Sequence, residues 1–232
     1  MTRFLPALFA LLFLGAVLAE PAQAQGSFFP KSENRADRWE GSLSINRQDG
    51  EFVGGEEDAF IDFRSDTGFA FGVGYNFTNH FALSGDFIFN SPRYDGEFTV
   101  DEDGDGEPDG TQQISHKADF FTAQLRGTWN ILEGPFTPFL EGSIGTTYVD
   151  SNVTDRPPVT GCWWDPWWGY ICRPFYSTYS DWNLSYGWGA GLRMDFNVDF
   201  GARLTYSQRY LDLSNSSDPS FSSLSADFIW RF

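Results

Sequence analysis

The sequence predicts an all-β chain, an eight-stranded antiparallel up-and-down β-barrel that crosses a membrane. Three observations carry this. Eight segments alternate bulky apolar residues with small or polar ones, the connections between them are short and long by turns, and 232 residues include 9 Trp, 9 Tyr and 25 Phe, more rings than a soluble core of this size needs. Mean hydropathy is only -0.34, and beyond the N-terminus no stretch approaches the roughly 18 to 20 consecutive apolar residues of a membrane-spanning helix. Any crossing falls to strands.

The N-terminus comes first. Arg3, the apolar run Phe4 to Ala19 and the triplet Ala22-Gln23-Ala24 read as the charged, apolar and cleavage regions of a secretory signal, cleaved after Ala24. An uncleaved anchor is the competing reading, weakened by Pro6 and by the shortness of the run. The expected organisation is a signal peptide at 1–24, a short extension at 25–38 and a barrel at 39–232. Export places the chain in an oxidising compartment.

The first strand, weakly patterned, sets Trp39, Gly41, Leu43 and Ile45 against Glu40, Ser42, Ser44 and Asn46. Then Phe69, Phe71, Val73, Tyr75 and Phe77 face Gly68, Ala70, Gly72, Gly74 and Asn76; Phe81, Leu83, Phe87 and Phe89 face Ser84, Asp86 and Asn90; and Phe121, Ala123, Leu125 and Trp129 face Thr122, Gln124, Arg126 and Thr128. Leu140, Ile144 and Tyr148 oppose Glu141, Ser143 and Thr147. The last three segments set Leu184 to Phe196 against Ser185 to Asp195, Phe200 to Tyr206 against Gly201 to Ser207, and Leu224 to Phe232 against Ser225 to Arg231. Tight turns fall at 78–80, 131–135 and 197–199. Long or polar loops are expected at 48–66, 90–117, 149–181 and 212–220. An even-stranded barrel with short turns at one end and loops at the other leaves no unpaired edge in lipid.

A soluble barrel of the lipocalin type gives the same alternation with the faces exchanged. The thin face argues against it, because Glu40, Asp86, Arg126, Glu141, Arg193, Asp195, Arg203, Asp227 and Arg231 suit a narrow, ion-paired lumen better than a glycine-dense solvent face. Trp39, Tyr75, Phe77, Phe81, Trp129, Phe136, Phe196, Phe200 and Trp230 would supply an interfacial girdle.

The last strand, with Leu224, Ala226, Phe228, Trp230 and Phe232 at alternate positions, resembles the C-terminal signature of bacterial outer-membrane barrels. The segment Pro138-Phe139-Leu140-Glu141-Gly142-Ser143-Ile144-Gly145 is similar to a Pro-aromatic-x-x-Gly-x-x-Gly strand of the eight-stranded surface-antigen family. That family includes the outer membrane protein A transmembrane domain, outer membrane protein W and the neisserial opacity proteins. The resemblance covers about residues 39 to 232 and implies residence in the bacterial outer membrane, contact with its lipid and lipopolysaccharide, and recognition of the C-terminal strand by the barrel-insertion machinery. It implies a structural or surface-interaction protein of the adhesin or opacity type, with an extracellular partner, or alternatively a narrow porin-like conduit for small solutes. The lumen discriminates between these.

The loops carry the remaining chemistry. A net charge of -17, from 15 basic and 32 acidic residues, excludes a nucleic-acid partner. Acidic residues crowd the first two loops; in the first, from Asp49 to Asp66, the plain reading is a solvated face. In the second, Asp101, Asp103, Asp105, Glu107 and Asp109 stand at calcium-loop positions 1, 3, 5, 7 and 9, with Gly106 at the turn. Position 12 is Gln112, not Glu, so weak Ca²⁺ binding of the extracellular-module kind is expected; no cofactor is required. This stretch is similar to the Asp-rich thrombospondin type 3 repeats. Cys162 and Cys172 flank a Trp-rich stretch with Pro166 and Gly169 and are expected to close as a disulfide hairpin. Its rings form either a small core of their own or an exposed contact patch. His80 and His116 lack the His-x-Ser arrangement of outer-membrane lipases and deacylases, so no enzyme is expected.

Overall fold

The computed structural model describes residues 35–54, 60–100, 110–154, 159–165, 169–175, 178–212 and 218–232. The expected signal peptide and cleavage site lie outside them. Strands in chain order are β1 (Arg38–Gln48), β2 (Glu51–Gly54), β3 (Phe60–Phe63), β4 (Asp66–Asn76), β5 (Phe81–Asn90), β6 (Arg93–Val100) and β7 (Gly110–Lys117). They continue with β8 (Asp119–Asn130), β9 (Phe136–Thr154), β10 (Val159–Asp165), β11 (Gly169–Phe175), β12 (Thr178–Asp195), β13 (Phe200–Asp212) and β14 (Ser220–Arg231). No helix among the described residues is long and apolar enough to cross a membrane.

Eight strands close into one antiparallel barrel in the order β1-β14-β13-β12-β9-β8-β5-β4. Each bonds to its neighbour in the chain, apart from excursions at the long-loop end, and β1 meets β14 to complete the ring. A walk across the strands shows their tilt. It starts at Gln48 and passes Ser223, Ser207, Gly189, Glu141, Thr128, Ala82 and Asn76, but returns to β1 at Arg38, not Gln48. Such a stagger is what closing a twisted sheet requires.

Period-two alternation decides the faces. Leu43, Ile45, Phe69, Val73, Leu125, Ile144, Leu184 and Trp188 are each about half exposed on the outer wall, while Ser42, Ser44, Asn76, Thr122, Thr147 and Thr205 are buried inside. A water-facing barrel would invert this. At the short-turn end, outward rings form a band: Trp39 meets Tyr75 at 5.2 Å, Tyr75 meets Phe77 at 5.1 Å and Phe77 meets Phe81 at 5.9 Å between centroids. A second band at the other end links Phe69 to Phe89 at 4.9 Å, Phe89 to Phe121 at 5.0 Å and Tyr148 to Trp182 at 5.2 Å. At the seam, a side chain at Gly41 would collide with the indole of Trp230, so glycine lets that ring lie across β1.

The loops depart from the sequence expectation. The described parts of the loops expected at 48–66 and 90–117 are not plain connections. They contribute β2, β3, β6 and β7 to a separate four-stranded sheet in the order β2-β3-β6-β7, and β10 pairs with β11 in a hairpin. The strands of the first loop have only four residues each, too short for alternation to stand out among acidic neighbours. Strands β9 and β12 also run further than expected, pairing out to Thr154 and Thr178.

Candidate functional site

Among the described residues, the lumen gathers most of the buried ionisable side chains, and its ion-paired residues fall into two groups. In the middle, Arg126 of β8 reaches Asp86 at 3.0 Å, Glu141 at 3.6 Å and Asp227 at 4.0 Å, and Arg203 of β13 holds Asp227 at 3.0 Å. These come from five different strands, so the group ties opposite walls together. Phe139 also points inward, fully buried, with the Arg203 guanidinium 6.0 Å from its ring centroid. A Cβ at Gly191 would press on that ring, so glycine makes its room.

Towards the short turns lies the second group. Arg193 donates to both carboxylate oxygens of Glu40 and meets Asp195 at 3.1 Å. Arg231 reaches Asp195 at 3.3 Å. The third partner of Asp195 is Arg35, only 1% exposed, at 2.6 Å. Arg35 precedes β1, yet its guanidinium also donates to the carbonyls of Leu132, Gly134 and Asn79, while its backbone N–H bonds Asn79 Oδ1 at 2.9 Å. One side chain thus clasps two of the three turns across the floor. Carboxylates buried this deeply need such partners, because an unpaired buried charge costs several kcal/mol, of order 3–5.

The opposite end is closed by apolar packing. Phe63 of β3, Tyr94 of β6 and Ile114 of β7 pack against Ala118, Phe120, Val149, Val153, Leu211 and Phe221. Phe63 meets Tyr94 and Phe120 at 5.6 Å and Phe221 at 5.7 Å. Phe120 and Phe221 are inward residues of β8 and β14, which stand across the ring from each other, and their centroids are 5.7 Å apart. The rings therefore meet over the lumen. The Tyr94 hydroxyl donates to Ser151 O at 2.9 Å, and burial among these rings pushes that phenol up from its ordinary value. On the other side of the sheet Asp95 is exposed; a hydrogen bond from Ser115 and then the Arg64 guanidinium hold its carboxyl below the usual range.

Nine thin-face charges, Glu40, Asp86, Arg126, Glu141, Arg193, Asp195, Arg203, Asp227 and Arg231, all lie in these two groups. Sequence reading missed Arg35, Phe139 and Arg209. For Arg209 the signal was present: it continues the inward series Arg203, Thr205, Ser207. Asp101, Asp103, Asp105, Glu107 and Asp109 lie outside the described residues, and no metal-binding group of three His, Cys, Asp or Glu occurs among the described ones. The register sets Cys162 opposite Cys172 in the β10–β11 pair. His80 is bound to Asn130 O at 2.7 Å and Glu133 at 3.1 Å in the short-turn region, and His116 pairs with Tyr94 across β6 and β7. They share no site.

A closed eight-stranded barrel with an apolar outer wall between two aromatic bands and a charged, paired interior defines an integral membrane β-barrel of the outer-membrane type. The family model for the outer membrane protein beta-barrel domain matches residues 9–232. The chain belongs to that family, and its localisation is the outer membrane. Among solved structures, neisserial surface protein A is similar at 10% identity, with 83% of this chain and 97% of that one covered and a TM-score of 0.51. OprG from Pseudomonas aeruginosa matches at 10% identity over 88% and 99% (TM-score 0.46). Ail of Yersinia pestis matches at 16% over 83% and 98% (TM-score 0.44). No curated protein matches. By the rule for such barrels the short turns face the periplasm and the long loops the exterior.

Proposed function

We propose that this is a non-conducting surface barrel, a structural or surface-interaction protein whose outer sheet and β10–β11 hairpin are its contact elements, and not an enzyme. One observation carries the reading: the lumen is blocked twice, by ion pairs that clasp the periplasmic floor and by rings that meet across the outer mouth. A solute conduit would need both to move. The sheet's outer face offers a contact surface, with Phe52 62% exposed and stacked on Phe60 at 5.4 Å. Planar-bilayer recording of the refolded protein is the test. Silence or rare small openings are expected, and stable conductance would establish the porin-like alternative.

Two loop features belong to the same reading. The segment from Asp101 to Asp109 binds Ca²⁺ weakly, in the 10⁻⁴ to 10⁻³ M range roughly expected of extracellular modules, and Cys162 and Cys172 form a disulfide. Millimolar Ca²⁺ should protect the segment from protease, an effect lost in Asp101→Ala with Asp105→Ala. Mass analysis of the alkylated, unreduced protein should find neither cysteine modified.

A further inference from the structure

No described residue fills the space over three glycines of the lipid-facing wall. Gly85 of β5, Gly127 of β8 and Gly142 of β9 stand at outward positions, in series with the exposed Leu83 and Phe87, Leu125 and Trp129, and Leu140 and Ile144. None has the positive φ that calls for glycine. A Cβ at Gly85 would meet no described atom within 4 Å, and at Gly127 and Gly142 the nearest atoms are 3.7 Å and 4.0 Å away. Gly41 and Gly191 differ, because rings of the protein lie over them. A strand glycine with neither reason weakens its sheet, and such positions mark the close approach of a ligand or another backbone.

The register makes these glycines neighbours. Gly127 is the partner of Gly142, and Gly85 pairs with Leu125, the outward residue of β8 next to Gly127. On the other side of Leu125, Ala123 pairs with Phe87 and with Thr146. The wall is hollow there: a groove of about 460 Å³ runs over Gly85, Ala123 and Thr146 between Phe87, Leu125, Ile144 and Leu184. The Thr146 hydroxyl donates to Asn183 O at 3.2 Å, so the side chains facing outward offer only apolar surface. The next outward row is Phe89, Phe121, Tyr148 and Trp182, in the aromatic band at the long-loop end.

Two occupants suit a hollow in a wall that lipid covers, a hydrocarbon chain or a second barrel. A second copy related by a twofold axis brings the same face against itself, and two hollows face to face leave a void. A void in hydrocarbon forfeits the contacts on which packing in lipid depends. A flexible chain fills it. The groove is continuous with the lipid-facing wall and opens beneath the outer band, in the leaflet built of glycolipid. We propose that it is a binding site for an acyl chain of outer-leaflet lipopolysaccharide, which enters beside Tyr148 and Trp182 and continues over Gly127 and Gly142. The site stands whether or not the lumen conducts.

The barrel extracted from outer membranes in mild detergent, washed and assayed for lipid A by mass spectrometry, should retain lipopolysaccharide in stoichiometric amount. Gly85→Leu with Ala123→Leu fills the groove and should lose that lipid, while heat-modifiable migration shows the barrel closed. Thr146→Ile suits a strand and narrows the groove, and it should weaken retention even where the double variant fails to assemble. Ala226→Leu, outward on β14 across the ring, should retain as much as wild type. Wild type free of lipopolysaccharide, phospholipid retained in its place, or retention unchanged in the groove variants would overturn the proposal, as would a wild-type dimer that the filled variant abolishes.

Discussion

The periplasmic floor and the extracellular mouth close the same lumen by opposite chemistry. At the floor, Arg35, Arg193 and Arg231 face Glu40 and Asp195; at the mouth, Phe63, Tyr94, Phe120 and Phe221 meet ring to ring. The difference lies in what each closure depends on. Ion pairs need every partner, since removing one leaves the others charged and dry, whereas an apolar cluster loses stability in proportion to what is cut away. Much of the floor is part of the barrel strands, so damage there reaches the whole ladder. Part of the mouth is a separate sheet, and damage there should stay local.

Replacing Arg193 with Met strands Glu40 and leaves Asp195 to Arg35 and Arg231. The expected loss is the largest, about 3–5 kcal/mol of barrel stability, measurable as a lower urea midpoint in lipid and a weakened heat-dependent gel shift. A midpoint within error of wild type would show that the floor is wet. For the mouth, Phe63→Ala should cost about 3 kcal/mol and register as faster hydrogen exchange in β3 and β6 with the barrel midpoint unchanged. If both fall together, lid and barrel are one cooperative unit and the contrast fails.

Arg35→Ala sharpens the floor side. Asp195 keeps two arginines, so about 1–3 kcal/mol is expected, the range for a hydrogen bond to a charged group, and periplasmic protease should gain access to the chain ahead of β1. The smallest effect is that of acid on the outer sheet. The Asp95 carboxyl lies below its ordinary value because Ser115 and Arg64 favour its charged form. The stability it contributes is therefore complete above the unfolded value, about pH 4, and is lost as pH falls through the lower folded one. Exchange in β6 and β7 should rise slightly over that window, and in Asp95→Asn it should be flat.

The barrel strands were legible because each spans enough residues for period two to repeat, and because one face is uniformly large. Alternation also puts Glu40 beside Ser42 and Arg126 beside Thr128, which is why the interior could be read as charged. Phe139 escaped because it is apolar on the polar side, a residue that fits only where Gly191 gives it room. Arg35 lies outside any alternating segment, and its main partner is 160 residues away; no local pattern encodes such a contact. The lid sheet was hidden for a related reason: β3 pairs with β6 across β4 and β5, so its strands are defined by each other and not by their own periodicity.

Arg35 also bears on the order in which the molecule assembles. Its acceptors belong to the turns after β4 and β8 and to the end of β12, so the clasp has no complete binding place until those strands are side by side. An inserting sheet that lacks them keeps its periplasmic end hydrated, and Glu40, Arg193 and Asp195 stay in contact with water until their partners arrive. Arg35 can then dock as a late step, drying a floor that has already paired. Contacts that form after the rate-limiting barrier leave folding rates alone, so if Arg35 docks late its loss should speed unfolding while leaving the rate of insertion almost untouched.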